Sequence, residues 1–194
     1  MLPWALALAV ALALYPIFVY NRLTVLRNRV RNAFAQIDVQ LKRRHDLVPN
    51  LVDAARAYMA HERATLDAVA RARSEAALAG VVAAKHPGQA EAMLVLAQTE
   101  AALSGALGGL LARLEAYPQL KAGKNVLALQ EQLASTESRL GFARQYFNDA
   151  VLDYNNQRDQ FPANQFARLF GMQPAEMLQP IEAPEERRAP RATG

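Results

Sequence analysis

The spacing of apolar residues divides the chain into an uncharged leader and a series of striped segments. From Met1 to Tyr20 (MLPWALALAVALALYPIFVY) no side chain is charged. A helix of about 20 residues, rising 1.5 Å per residue, spans the hydrocarbon core of a bilayer. Trp4 lies near one end of this run and Tyr15 and Tyr20 near the other, the positions amphipathic rings prefer at membrane interfaces. Pro16 is a local defect of a kind tolerated near the end of a membrane helix.

Beyond Asn21 the apolar residues recur every three or four positions, and no alternating strand pattern of useful length is found. A first helix, Arg22 to about Arg44, places Leu23, Leu26, Val30, Ala33, Ile37 and Leu41 on one stripe. His45-Asp46-Leu47-Val48-Pro49 follows; the proline removes an amide donor and disfavours helical geometry at Val48, so a turn or a kink is expected there, with Asp46 able to cap a new helix. A second helix is predicted from about Pro49 to Ala79, and Lys85-His86-Pro87-Gly88 breaks the pattern. The third, about Gln89 to Ala116, repeats Met93, Leu96, Leu103, Leu107, Leu110 and Leu114. Its Gly105, Gly108 and Gly109 cost about 1 kcal/mol each relative to alanine, which points to close backbone approach or a kink. After a loop from Tyr117-Pro118 to Lys124, Asn125 is expected to cap the fourth helix, whose stripe runs from Val126 through Leu133, Leu140 and Phe147 to Tyr154 and ends near Gln160. A short amphipathic segment (Phe166, Leu169, Phe170) ends at Gly171, and the Pro-, Glu- and Arg-rich stretch after it reads as disordered.

Four long helices with one apolar stripe each bury those stripes jointly when packed antiparallel. The predicted fold is therefore all-α: residues 1–21 form a transmembrane anchor, 22–171 a long antiparallel four-helix bundle, and 172–194 a disordered tail.

Charge sets the topology. With 22 basic and 18 acidic residues the chain carries only +4, but seven of the bases (Arg22, Arg27, Arg29, Arg31, Lys42, Arg43, Arg44) fall between Asn21 and His45 against one acid, Asp38. That stretch is +6, so the remainder sums to −2. Bases that follow the apolar run favour an N-terminus outside and a bundle in the cytoplasm, and a cleaved signal peptide, to which Ala11-Leu12-Ala13 gives some likeness, wants a basic start that is missing here. The juxtamembrane bases Arg22, Arg27, Arg29 and Arg31 are placed to meet anionic headgroups. Charge so confined argues against a nucleic-acid-binding face.

Candidate chemistry is sparse. There is no cysteine, which excludes disulfides, thiolate metal sites and a lipoprotein attachment. His61-Glu62 begins like HExxH, but position 65 is Thr; no Glu-x-x-His exists, as a carboxylate-bridged di-iron bundle would require. No Ser–His–Asp trio suggests itself. No catalytic, cofactor or metal residue is assigned, and a hydrolase using His61 or carboxylates stands only as an alternative. The sharper candidates are polar. The corner Arg43, Arg44, His45, Asp46 and Asn50 is expected to form an exposed contact surface, extended by Arg144, Asn148 and Asp149 along the seam of the fourth helix. The reading preferred for those seam residues is structural, with Arg144 pairing with Asp38 or Asp149 to fix register, and recognition of a partner helix is the alternative.

Several of these stretches resemble the LemA family. YNRL at Tyr20, RNRVRNAFAQIDVQLKRRHDLVPNLV from Arg27 to Val52, AHERATLDAVARAR from Ala60, and YPQLKAGKNVLALQEQLASTESRLGFARQYFNDAVLDYN from Tyr117, followed by FPANQFARLFG, are similar to its blocks in order and length. The likeness covers about Tyr20 to Gly171, with little family signature between Ala76 and Ala112. It implies a single-pass, membrane-anchored four-helix bundle with a role in envelope maintenance, since family genes often neighbour membrane-protease or TPM-domain genes; the anchor, the long helices and the missing catalytic set point to an interaction or scaffold protein. The partners implied are membrane lipid, through the anchor, and one or more membrane proteins, with self-association of the bundle left open. A surface that organises anionic lipid is the alternative from the same bases.

Overall fold

The computed structural model describes residues 2–56, 58–59, 61–121 and 123–179. Within them six helical segments follow one another with no strand between: α1 (Leu2–Arg56), α2 (Arg63–Lys85), α3 (Ala90–Leu114), the single turn α4 (Pro118–Lys121), α5 (Lys124–Asp159) and α6 (Ala163–Leu169).

The dominant element is α1, 55 residues long and so about 80 Å from end to end. It joins the uncharged leader and the first striped segment in one helix, and it does not stop at Pro49 as the sequence suggested. Proline at position 49 leaves the carbonyl of His45 without its intrahelical donor. The Arg73 side chain on α2 supplies one: its Nε donates to the His45 carbonyl oxygen at 3.1 Å. With that carbonyl satisfied, the helix continues for about two more turns and carries Leu51, Val52 and Ala55 into the core. The expected second helix, starting near Pro49, therefore begins only at Arg63, after a turn around Tyr58 and Met59 in which both amides bond the Ala55 carbonyl. Asp46 is an exposed mid-helix residue, not a cap.

α2 folds back along α1, and α3 returns along α2 after the tight turn at His86–Gly88, where Gly88 takes φ +79°. α5 lies antiparallel to α1, since Phe34 meets Phe147 edge-on at 5.6 Å while the distal end of α1 shares its core with Val126. Apolar side chains gather in two successive layers. The one nearer the N-terminal segment combines Leu23 to Leu41 of α1, Leu140 to Tyr154 of α5, and the facing ends of α2 and α3. The distal one combines Val48 to Met59, Leu66 to Ala76, Leu103 to Leu114 and Val126. Burial of a large aliphatic side chain contributes about 1.5–3 kcal/mol, so these seams hold the helices together.

Three smaller expectations change. Gly123, not Asn125, precedes the first turn of α5. A Cβ added at Gly105, Gly108 or Gly109 would meet nothing within 4 Å, so these glycines do not mark close backbone approach. And the chain after Gly171 is not structureless throughout: residues 172–179 run as an extended strap that buries Met172 and Leu178. The rest of the expected disordered tail, 180–194, lies outside the described residues.

Candidate functional site

Two seam positions carry opposite charges. On α1 the stripe that includes Ile37 and Leu41 continues, three residues on, at Arg44 and then at Val48. On α3 the spacing from Leu96 to Leu103 passes through Glu100. Both residues are buried, Arg44 with 5% and Glu100 with 7% of their surface exposed. Arg44 Nη1 donates to Glu100 Oε2 at 2.8 Å and Nη2 to the Ser104 hydroxyl at 2.7 Å. His45 Nε2 meets the other carboxylate oxygen, Oε1, at 2.7 Å. From α5, Glu137 adds a carboxylate 3.4 Å from Arg44 Nη2. One cluster thus ties α1, α3 and α5 together.

The cluster's chemistry follows from its saturation. Both oxygens of Glu100 are held by neighbours within the fold, Oε2 by Arg44 and Oε1 by His45. Buried ion pairs gain little net stability against a hydrophobic replacement, yet removing one partner strands a charge. Beside it a cavity of about 410 Å³ is lined by Leu96, Glu137, Arg144 and Leu178 among others. The Nε of Arg144 is buried there without a hydrogen-bond partner.

The strap is the second built feature. Asn148 receives the Leu178 amide at 2.9 Å and donates back to its carbonyl at 3.3 Å. Asn155 does the same for Ala175, at 2.9 and 2.8 Å. Tyr154 donates to the Gln173 carbonyl at 2.8 Å and Arg158 to that of Met172 at 2.8 Å. The Glu176 amide bonds the Gly88 carbonyl at 2.7 Å, so the strap also pins the α2–α3 turn. Burial raises the Tyr154 phenol above its ordinary value of 10.0, with Arg27 and Arg158 pulling the other way.

The residues expected on one exposed surface are therefore divided. Arg43, Asp46, Asn50 and Asp149 are exposed. Arg44 and His45 are not; they belong to the buried cluster, because their positions fall on the seam. Asn148 is committed to the strap. Arg144 pairs with neither Asp38 nor Asp149, and Asp38 instead holds Lys42 at 2.6 Å. Arg22, Arg27, Arg29 and Arg31 are all exposed. His61 is exposed, and Glu62 pairs with Arg113 of α3. Among the described residues no group of three His, Asp or Glu side chains could hold a metal ion.

Glu100 was the residue hidden from the sequence reading. The signal was present, since its position completes the steps of three and four from Met93 to Leu114, but an acid in an apolar stripe is easily passed over. By length and composition α3 is also apolar enough to cross a membrane, with a mean hydropathy of 1.4 over its best window. Core helices pass the same test, and the buried side of α3 packs against α2 and places Glu100 on Arg44.

No curated protein matches the chain. A model of the LemA family matches residues 33–193, which takes in the cluster, α2 to α6 and the strap. The chain belongs to the LemA family.

Proposed function

We propose that this chain is a single-pass membrane protein in which the first part of α1 spans the bilayer and the rest of the molecule, an antiparallel four-helix bundle of α1, α2, α3 and α5, serves as a rigid scaffold for other membrane proteins of the cell envelope. The observation that carries this reading is the continuity of α1, a single helix from Leu2 to Arg56 that is uncharged up to Asn21 and central to both core layers thereafter. Trp4 (81% exposed), Leu14 (57%), Ile17 (57%) and Phe18 (66%) have no protein neighbours to cover them. Exposed apolar side chains grouped in this way mark contact with lipid or protein. Exposed Arg22, Arg27, Arg29 and Arg31 follow at once, which supports a cytoplasmic bundle under the positive-inside rule.

α6 fits the same scheme. Its Phe166 packs edge-on against Tyr15 at 5.7 Å and Phe170 against Tyr20 at 5.2 Å, forming an aromatic collar where α1 would leave the hydrocarbon. Leu169 and the neighbouring Phe161 are 77% and 83% exposed beside it, as expected of groups that rest in an interface.

The chain works by contact and not by catalysis, through membrane proteins docked on the exposed residues Arg43, Asp46, Asn50 and Asp149. Membranes carrying the full chain, washed with alkaline carbonate, test the anchor: the protein should stay in the pellet, and release into the supernatant would end the proposal. Photoreactive groups at Arg43 and Asp149 test the scaffold. A reproducible protein adduct is expected, and recovery of lipid alone would refute the scaffold role.

A further inference from the structure

At the end of the molecule nearest the apolar leader, a groove of about 540 Å³ opens between α1, the α2–α3 turn and the strap. Its charged lining is of one sign. Arg27 and Arg31 enter from α1 and Lys85 from the end of α2, with His86 beside them, and no carboxylate lines the groove. Among the described residues every ion pair lies elsewhere, so Arg27, Arg31 and Lys85 stand without an acidic partner. The contrast with Arg44 is instructive: there a buried base is matched by Glu100 and Glu137, whereas here three bases converge unmatched.

The backbone adds to the field. α3 starts at the groove; Gln89 and Ala90 line it, and Gln89 makes no side-chain cap bond. The positive end of a helix dipole with uncapped first-turn amides attracts anions. The acids adjacent in sequence to lining residues, Glu91, Asp153 and Glu176, are exposed and do not line the groove. The groove's walls are held by bonds of their own, through Tyr154 to Gln173 and Glu176 to Gly88, so its shape exists before any ligand arrives.

We propose that this groove is a binding site for a phosphate-bearing anion, held by Arg27, Arg31, Lys85 and the amino end of α3. A phosphate ester carries about −1.5 to −2 charges on three strong acceptor oxygens, which suits a set of three cations and free amides better than the single charge of a carboxylate. The volume leaves room for the glycerol or sugar attached to the phosphate. Arg27 lies seven residues beyond Tyr20, about 10 Å along α1, which sets the groove next to a headgroup layer if the leader is in the bilayer. A lipid headgroup and a soluble phosphate ester share this chemistry. The site itself does not depend on the anchor, so its failure and that of the anchoring proposal are separable.

The test uses the full chain in two arms. In zwitterionic micelles, calorimetry with inorganic phosphate and with glycerol 3-phosphate reads the soluble source. In nanodiscs of equal parts phosphatidylcholine and phosphatidic acid, native mass spectrometry reads retained phosphatidic acid. In at least one arm the wild-type chain should bind, and Arg27→Gln/Arg31→Gln/Lys85→Gln should weaken binding at least tenfold. Arg22→Gln/Arg29→Gln, exposed bases that do not line the groove, should leave binding of the free esters within about twofold and, because bases near the headgroups also attract anionic lipid, should lose less retained phosphatidic acid than the triple variant. Binding confined to nanodiscs identifies a lipid headgroup, and binding to the free esters a soluble ligand; either result supports the site. The proposal is overturned if the wild-type chain binds neither, or if the Arg22/Arg29 variant loses as much as the triple variant, since diffuse surface charge then accounts for the effect.

Discussion

The passage of α1 through Pro49 rests on a single side chain, and that dependence can be measured. Arg73→Met keeps the aliphatic stem of a half-buried residue but removes the donor to the His45 carbonyl, a bond of 3.1 Å. Hydrogen bonds to charged groups contribute about 1.5–3 kcal/mol; for a partly exposed donor the lower part of that range applies, about 1.5 kcal/mol. The informative step is a second substitution. Pro49→Ala restores the amide that bonds the same carbonyl within the helix, and alanine is about 3 kcal/mol better than proline in a helix interior. Part of that gain is offset, because alanine also frees the unfolded chain by about 0.4–1 kcal/mol. Pro49→Ala should thus stabilise by about 2 kcal/mol, and in its presence Arg73→Met should cost less than about 0.5 kcal/mol. Denaturant unfolding of the full chain in micelles, followed by circular dichroism for the four members of the cycle, gives the coupling directly. A coupling of about 1 kcal/mol or more is expected. Additivity within about 0.3–0.5 kcal/mol would show that the guanidinium is not the carbonyl's substitute partner.

Other consequences follow from the same contacts. Glu100→Ala leaves the Arg44 guanidinium with only Ser104 and the half-exposed Glu137 and should cost about 3 kcal/mol, whereas Arg44→Met/Glu100→Leu, which removes both charges and leaves only His45 without its partner, should cost less; equal losses in both, read by the same unfolding assay, would contradict the pairing. Gly88→Ala forces a left-handed backbone on a residue with a Cβ only 3.0 Å from that of Ala175; a loss of about 1–2 kcal/mol is expected, with faster proteolysis within residues 172–179, and an unchanged cleavage rate would show that the strap does not depend on this turn. Because the folded state holds the Tyr154 proton more tightly than the unfolded state, stability should fall as pH rises above about 10, where the unfolded phenol begins to ionise. Tyr154→Phe should remove that alkaline component of the melting profile, and an identical decline in both proteins would assign it elsewhere.

The apolar stripes were legible because helix burial has a local signature, a step of three or four residues. Leu23 to Leu41, Met93 to Leu114 and Val126 to Tyr154 needed nothing else, and His86-Pro87-Gly88 and Tyr117-Pro118 marked real ends. What escaped was decided by partners distant in sequence. Pro49 reads as a terminator until Arg73 of another helix is known to serve the carbonyl it orphans. Arg44 and His45 read as surface because they are polar, and only Glu100, on a different helix, makes their burial tolerable. Residues 172–179 look unstructured by composition, yet Asn148, Tyr154, Asn155 and Arg158, polar residues on α5, bond their backbone in turn. In the candidate surface, then, local reading found the region but could not separate the residues the fold consumes from those it leaves exposed. The basic groove was half visible: Arg27 and Arg31 stood out in the juxtamembrane run, while Lys85 and the start of α3 reach them only through the packing of the α2–α3 turn.

The scaffold proposal depends on a rigid connection between the segment in lipid and the core of the bundle. The chain has no native cysteine, so single cysteines introduced for Leu14 and Arg43 can carry spin labels without interference. The two positions straddle Pro16 on one helix and are separated by 29 residues, or about 44 Å of helical rise. Pulsed dipolar spectroscopy of the labelled full chain in nanodiscs should give one narrow distance distribution near that value, whereas a broad or markedly shorter distribution would mean that the leader is hinged and α1 is not one element.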